Sequence, residues 1–216
     1  MAKIIIIDDH PLMRKGLALT LESETGLQVV GQVEDAEAGL ELVEKLKPDL
    51  VIVDISLPGM SGLELIKHLT VVHPEIKTLV VSRHDEILYA ERAIRAGAKG
   101  YVMKLVAGEV IVKAVRRILN GGIYVSEDIN ERLLMGMASG RSTLSQSPLD
   151  VLSDRELEVF ESIGRGLATR EIAERLHLSV KTVESYRARI KTKLNLQTAA
   201  EVMQHAVQWV ENERVG

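Results

Sequence analysis

The sequence predicts an α/β domain built as (βα)5, a doubly wound parallel sheet, followed by a small all-α domain of four helices with helix-turn-helix character. Three observations predict it. Apolar runs alternate with helical periodicities from residue 3 to about residue 120, the runs are rich in Ile and Val without polar alternation, and no strand signal survives beyond about residue 150. Unbroken apolar runs of this kind mark strands buried on both faces, as in a parallel sheet covered by helices. Alternation of strand and helix then implies right-handed crossovers.

The elements follow in order. Ile4-Ile5-Ile6-Ile7 stops at Asp8-Asp9, and Pro11-Leu12-Met13 leads into a helix with Leu17 and Leu21 in register. A second strand, Leu27 to Val33, precedes Ala36, Gly39, Leu40, Val43 and Leu46, ended by Pro48. Leu50-Val51-Ile52-Val53 stops at Asp54; the turn formers of Leu57-Pro58-Gly59-Met60-Ser61-Gly62 come next, then Leu63, Ile66 and Leu69 on a helix. Thr78-Leu79-Val80-Val81 stops at Ser82, and Ala90, Ala93, Ile94 and Gly97 mark a fourth helix with a glycine stop. Tyr101-Val102-Met103 stops at Lys104, and Val110, Ile111, Ala114, Val115 and Ile118 mark a fifth helix closed by Gly121-Gly122.

Residues 1–122 are therefore expected as the first domain and 148–213 as the second. Between them, 123–147 reads as a linker with a short amphipathic helix (Ile129 to Met137) and a small, polar, Pro- and Gly-bearing stretch. In the second domain Ser153-Asp154-Arg155-Glu156 is a capping box, Thr169 is expected to cap a second helix and Ser179 a third, and Thr198 to Val210 make a fourth.

At 216 residues with 46% hydrophobic content the chain can bury a real core. Its net charge of −4 gives no global nucleic-acid signal, so a basic footprint must be local. With no cysteine, disulfides, thiolate zinc sites and cysteine catalysis are excluded. No apolar stretch approaches the roughly 18 residues of a membrane-spanning helix, and the short N-terminal run of isoleucines is no signal-peptide core. A cytoplasmic protein with no membrane partner is expected.

Four polar stops on one sheet outline a site. In open α/β sheets the ligand sits beyond the carboxyl ends of the strands, so Asp8, Asp9, Asp54, Ser82 and Lys104 should share one rim. Any one strand-end Asp is more often a cap or solvated loop residue; the joint pattern reverses those odds. Clustered carboxylates repel, so one is protonated or a cation sits among them. Oxygen donors with room for water suit Mg²⁺. Lys104 and Ser82 then face the oxygens of a phosphoryl group, and phosphoryl transfer needs little beyond positioning and charge neutralisation.

These residues, with Tyr101 and the Leu57–Gly62 loop, resemble the receiver domain of bacterial two-component response regulators. The resemblance implies that Asp54 accepts a phosphoryl group from a sensor histidine kinase. It implies that Asp8 or Asp9, Asp54 and the backbone carbonyl of Ser56 hold Mg²⁺. Lys104 binds a phosphoryl oxygen, Ser82 moves to hydrogen-bond another, and Tyr101 rotates inward behind it. Leu105 stands where many receivers carry proline, and Arg83, where a small residue is usual, is expected to point outward, the alternatives being that it screens the phosphoryl group from water or pairs with it. Haloacid-dehalogenase-type phosphatases share the strand-end aspartate but need a second aspartate two residues on; Ser56 stands there, so the proton donor for turnover is missing and the chain is not expected to be an enzyme.

In the third helix of the second domain Val183, Tyr186, Ile190 and Leu194 form one face. Lys181, Glu184, Ser185, Ala188 and Thr192 take the opposite face. Five basic residues (Lys181, Arg187, Arg189, Lys191, Lys193) stand against Glu184, a local +4 in an acidic chain. Such a helix fits a major groove, cations on phosphates and short polar residues at base edges; a solvated basic stripe explains the charge equally well. Leu152–Val159, Gly166–Ala173 and Ser179–Glu184 resemble the LuxR-type helix-turn-helix, and the two domains together are similar to the NarL/FixJ response-regulator family. That resemblance implies that residues Thr182 to Lys193 enter DNA, and that Val202, Met203, Ala206, Val207 and Val210 make a phosphorylation-promoted homodimer contact. Promoter DNA and RNA polymerase are the partners it implies. His177 and Trp209 are expected to be structural. An adaptor whose helical domain binds protein is the competing reading.

Overall fold

The computed structural model describes residues 1–106, 108–138 and 148–215. Two compact units, Met1–Leu144 and Ser145–Gly216, divide the chain.

The first unit alternates β1 (Ala2–Ile7), α1 (Pro11–Glu22), β2 (Leu27–Val33), α2 (Ala36–Leu46), β3 (Leu50–Val53), α3 (Gly62–Val72), β4 (Lys77–Ser82), α4 (Glu86–Ala96), β5 (Gly100–Met103) and α5 (Gly108–Leu119), with α6 (Glu127–Ala138) after them. All strand pairings are parallel, in the order β2-β1-β3-β4-β5. Strand β1 thus has β2 on one side and β3 on the other, and the chain reverses its direction of travel between them. Helices on both faces bury the sheet interior: Ile4 to Ile7 and Leu50 to Val53 are at most 1% exposed. That is why these runs carry no polar alternation. One face of the sheet, with Ile4, Ile6, Ile52, Leu79 and Val81, packs on Leu17, Leu21, Ile111, Val115 and Ile118 of α1 and α5.

Register fixes what meets at the strand ends. Ile7 pairs with Val53 and Val53 with Val80, so Asp8 and Asp54 emerge side by side with Ser82 close behind. Helix α4 ends on Gly97 in the left-handed region at φ 111°. After α5 the chain returns to the sheet, where Tyr124 bridges to Gly100 and accepts a hydrogen bond from the Tyr101 amide at 2.9 Å. Helix α6 then packs on α4. This is the helix expected inside the linker; residues 139–147, the rest of that expectation, lie outside the described residues.

The second unit opens with a 3-10 turn (Pro148–Val151), then α7 (Asp154–Gly164), α8 (Thr169–Arg175), α9 (Val180–Lys193) and α10 (Ala199–Val215). The Ser153–Glu156 capping box forms as expected, and Ser179 caps α9 by accepting from the Thr182 amide. Thr169 differs from expectation. It is the first helical residue, and Ala168 is the cap, its amide bonded to the Glu171 carboxylate at 2.7 Å. The reciprocal half of a capping box satisfies this end without a hydroxyl. Helices α7 and α10 approach so closely that a Cβ on Gly164 stands 2.3 Å from the Ala206 carbonyl oxygen. Phe160 and Trp209 pack there with ring centroids 5.7 Å apart.

Candidate functional site

The rim lies at the carboxyl ends of β1, β3, β4 and β5, at the point where strand order reverses. Asp8 and Asp54 are 1% and 3% exposed. Lys104 Nζ stands 2.7 Å from Asp8 Oδ2 and 2.7 Å from Asp54 Oδ2, its own side chain nearly buried. One ammonium therefore bridges two carboxylates that the sheet register places together. Asp54 Oδ1 is shielded from solvent and has no hydrogen-bond partner among the described residues. Burial raises the Asp8 pKa above its ordinary 3.8, the Asp54 charge adds to the rise, and Lys104 and the His10 amide oppose it. The site carries a surplus of buried negative charge.

A backbone crowd holds Asp54 in place. Ser61 caps α3 in a capping box with Glu64, and the Gly62 amide donates to the Ile55 carbonyl at 2.8 Å. A Cβ on Gly62 falls 1.9 Å from the Asp54 carbonyl oxygen, so only glycine lets α3 start against the acceptor loop. The Leu57–Gly62 turn formers thus serve to bring a helix end up to Asp54.

Ser82 is fully buried and Lys104 donates its backbone amide to the Ser82 carbonyl at 2.7 Å. Tyr101 is 1% exposed, and its hydroxyl donates to the His84 carbonyl at 2.8 Å. The ring therefore lies inside the domain, anchored to the loop after β4. The Ser56 hydroxyl bonds His84 Nε2 at 2.7 Å, tying the Asp54 loop to the loop after Ser82.

Sequence reasoning missed two histidines. His10 Nδ1 touches the Asp9 carboxylate and lies 3.4 Å from Asp8 Oδ1. Asp8, Asp9, His10 and Asp54 each offer a donor atom, and the four atoms lie within 4.8 Å of one another. The signal for His10 was its adjacency to Asp8-Asp9. His84, its ring tilted against Tyr89 with centroids 4.5 Å apart, left no sequence signal. Arg83 is exposed, as expected, and its guanidinium also reaches His10 Nε2 at 2.6 Å across the rim. A carboxylate-rich rim with excess anion explains the direction of that reach.

In the second unit Val183 and Ile190 are fully buried, with Tyr186 and Leu194 half-buried beside them. Lys181, Glu184, Ser185, Ala188, Arg189, Thr192 and Lys193 are exposed. The Ser185 and Thr192 hydroxyls bond back to the carbonyls of Lys181 and Ala188. Among the described residues Lys181 and Arg187 have no ion-pair partner, whereas Lys193 Nζ holds Glu156 Oε2 at 2.7 Å. Burial works to raise the Glu156 pKa, but Lys193 and the Ser153 cap outweigh it and the carboxyl is lowered. Arg189 lies over the Tyr186 ring at 5.8 Å. Val202, Ala206 and Val210 pack inside the unit, leaving Met203, 46% exposed, on the outer side of α10.

Comparison with known proteins adds family relations. Residues 4–116 match the family model described as response regulator receiver domain, and residues 150–206 match that of bacterial regulatory proteins, luxR family. The response regulator GacA of Pseudomonas aeruginosa is 38% identical over 207 residues, 96% of each chain. The oxygen regulatory protein NreC of Staphylococcus epidermidis is 34% identical, covering 95% of this chain and 96% of its own length. Among solved structures, RcsB of Salmonella enterica serovar Typhimurium, bound to promoter rprA in the presence of the phosphomimetic BeF3−, aligns with TM-score 0.63 at 26% identity. That alignment covers 95% of this chain and 98% of RcsB.

Proposed function

The chain belongs to the response regulators that join a receiver domain to a LuxR-type helix-turn-helix, and on that premise we propose that it is a transcription regulator switched by a phosphoryl group on Asp54. The observation that carries this reading is the buried Lys104 ammonium bridging Asp8 and Asp54 at 2.7 Å each. That arrangement holds one carboxylate, out of water, beside the cation that a phosphoryl oxygen needs.

In the transfer, an Asp54 oxygen attacks the phosphorus of a phosphohistidine on a sensor kinase. The P–N bond breaks as the O–P bond forms, and the leaving imidazole takes a proton from solvent. Lys104 shifts from its carboxylates to a phosphoryl oxygen as a point charge. Ser82, buried on the same rim, donates its hydroxyl to another. The orphaned Asp54 oxygen and the clustered carboxylates fit a divalent cation such as Mg²⁺, which Asp8 or Asp9, Asp54 and the Ser56 carbonyl would hold. When bound, the cation neutralises charge that otherwise opposes an incoming phosphate. The phosphorylated aspartate adds roughly −1.5 to −2 charge. Tyr101 and His84, bonded to each other and to the Asp54 loop, carry the response toward residues 85–105. Coupling of about 1–3 kcal/mol suffices to favour a homodimer or free the DNA module.

For the second unit, α9 is the helix that enters promoter DNA. Thr182, Glu184, Ser185 and Ala188 face base edges, and Lys181, Arg187, Arg189 and Lys191 supply phosphate contacts, while Lys193, paired with Glu156, lies beside them and contributes less. Domain limits of 1–122 and 148–213, a histidine kinase partner, contact with RNA polymerase and a cytoplasmic location complete the proposal. Among the described residues no helix is long and apolar enough to cross a membrane. The test is Asp54→Ala with acetyl phosphate and Mg²⁺: phosphate incorporation is expected to vanish, with no phosphodonor-dependent gain in promoter binding by gel shift. Persistent labelling places the acceptor elsewhere. Binding of a protein partner with no affinity for any DNA favours the adaptor reading.

A further inference from the structure

His10 stands in the rim without a task in phosphoryl transfer. Its Nδ1 is shielded from solvent and has no hydrogen-bond partner of ordinary geometry among the described residues, yet it touches Asp9 and lies 3.4 Å from Asp8 Oδ1 and 4.0 Å from Asp54 Oδ2. Donors on opposite sides of an ion bound at about 2.1 Å stand about 4.2 Å apart, so four donor atoms within 4.8 Å need only a small inward movement. Acidic clusters alone are common on protein surfaces. Here the 3%-exposed Asp54 also has an oxygen with no hydrogen-bond partner among the described residues, a buried anion that a cation satisfies.

We propose that His10 Nδ1 is a ligand of this cation, making a site of three carboxylates and one imidazole that takes Mn²⁺ or another first-row transition ion in preference to Mg²⁺. The inference rests on the reading of Asp8, Asp9 and Asp54 as a cation site. Mg²⁺ favours oxygen donors and parts reluctantly with its water, whereas transition ions gain from imidazole nitrogen. A ligating Nδ1 carries no proton, so in the neutral ring the proton sits on Nε2. Arg83, which can only donate, then loses the acceptor it holds at 2.6 Å. Binding of the ion therefore releases the residue next to Ser82, and the ion's identity reaches the loop that answers phosphorylation.

The test uses the full chain and His10→Asn. His10 is the N-cap of α1 and makes no side-chain cap bond, and Asn is favoured at that position, so the variant folds. Mn²⁺ affinity is read by electron paramagnetic resonance and Mg²⁺ affinity by competition against it. The ratio of the two affinities cancels effects of charge, since both ions carry the same charge. His10→Asn is expected to lower that ratio several-fold and to abolish imidazole nitrogen modulation in the electron spin echo of bound Mn²⁺. An unchanged ratio, or nitrogen modulation that survives the substitution, overturns ligation by His10 and leaves the carboxylate site standing. Mn²⁺ binding that Mg²⁺ does not displace and Asp54→Asn does not weaken overturns the cation site itself.

Discussion

Gly62→Ala probes how the acceptor is held. The new Cβ sits 1.9 Å from the Asp54 carbonyl oxygen, 2.8 Å from the Asp54 carbonyl carbon and 2.9 Å from Ile55 Cα. All three are backbone atoms, so no side chain can swing aside. Restoring ordinary contact at about 3.4 Å requires the α3 start and the Asp54 loop to part by about 1.5 Å. That movement strains the Gly62–Ile55 hydrogen bond of 2.8 Å and drags Asp54 from Lys104, now 2.7 Å away. Overpacking of this kind costs about 1–3 kcal/mol, and misplacement of a reacting group by about 1 Å lowers rate on the order of 100-fold. Urea unfolding of the receiver and the rate of phosphate incorporation are the two assays. Gly16→Ala is the control: nothing stands within 4 Å of its Cβ, so the helical alanine stabilises by about 0.5–1 kcal/mol. Unchanged stability and unchanged phosphorylation in Gly62→Ala refute the close approach as the device that positions the acceptor.

Acid acts on the two units in opposite directions. Asp8 titrates higher in the folded protein than its unfolded 3.8, so its ionised form weakens the receiver, fully so above the raised value. Stability therefore recovers as pH falls from that value toward 3.8, and Asp8→Asn stabilises the metal-free receiver at neutral pH while flattening its pH dependence in urea melts. Glu156 is held below its unfolded 4.5, so its contribution is present above 4.5 and lost as pH falls beneath it; Glu156→Gln removes that acid sensitivity from the thermal melt of the helical unit. For DNA, Lys181→Gln with Arg187→Gln should reduce the slope of log affinity against log salt by about 0.9 for each phosphate left without its cation. Lys193→Gln, which breaks the ion pair with Glu156, should lower stability more than it changes that slope; the reverse pattern refutes the division between the two kinds of cation.

What the sequence displayed best was whatever depends on burial along one strand. Five strands and the convergence of Asp8, Asp54 and Lys104 follow from unbroken apolar runs ending on polar residues, since parallel register leaves those ends level. What it hid depends on loops meeting across the rim. Arg83 and His10 are 73 positions apart, and no periodicity relates them. The Ser56–His84 bond spans two loops in the same way. Thr169 looked like a cap because hydroxyls usually cap, whereas Glu171 satisfies the helix start from inside the helix. The apolar stripe of α10 taken by itself reads as core, and Val202, Ala206 and Val210 do serve the unit's own interior; the dimer contact rests on resemblance.

The bridge from Tyr124 to β5 bears on how this protein can be dissected. Strand β5 is terminal in the sheet, and the Tyr124 carbonyl occupies the Tyr101 amide there. A fragment cut at Arg116, where the receiver match stops, leaves that amide bare and opens a flank ready to recruit a foreign strand. Self-association of so short a piece reports the scissors, not the signal.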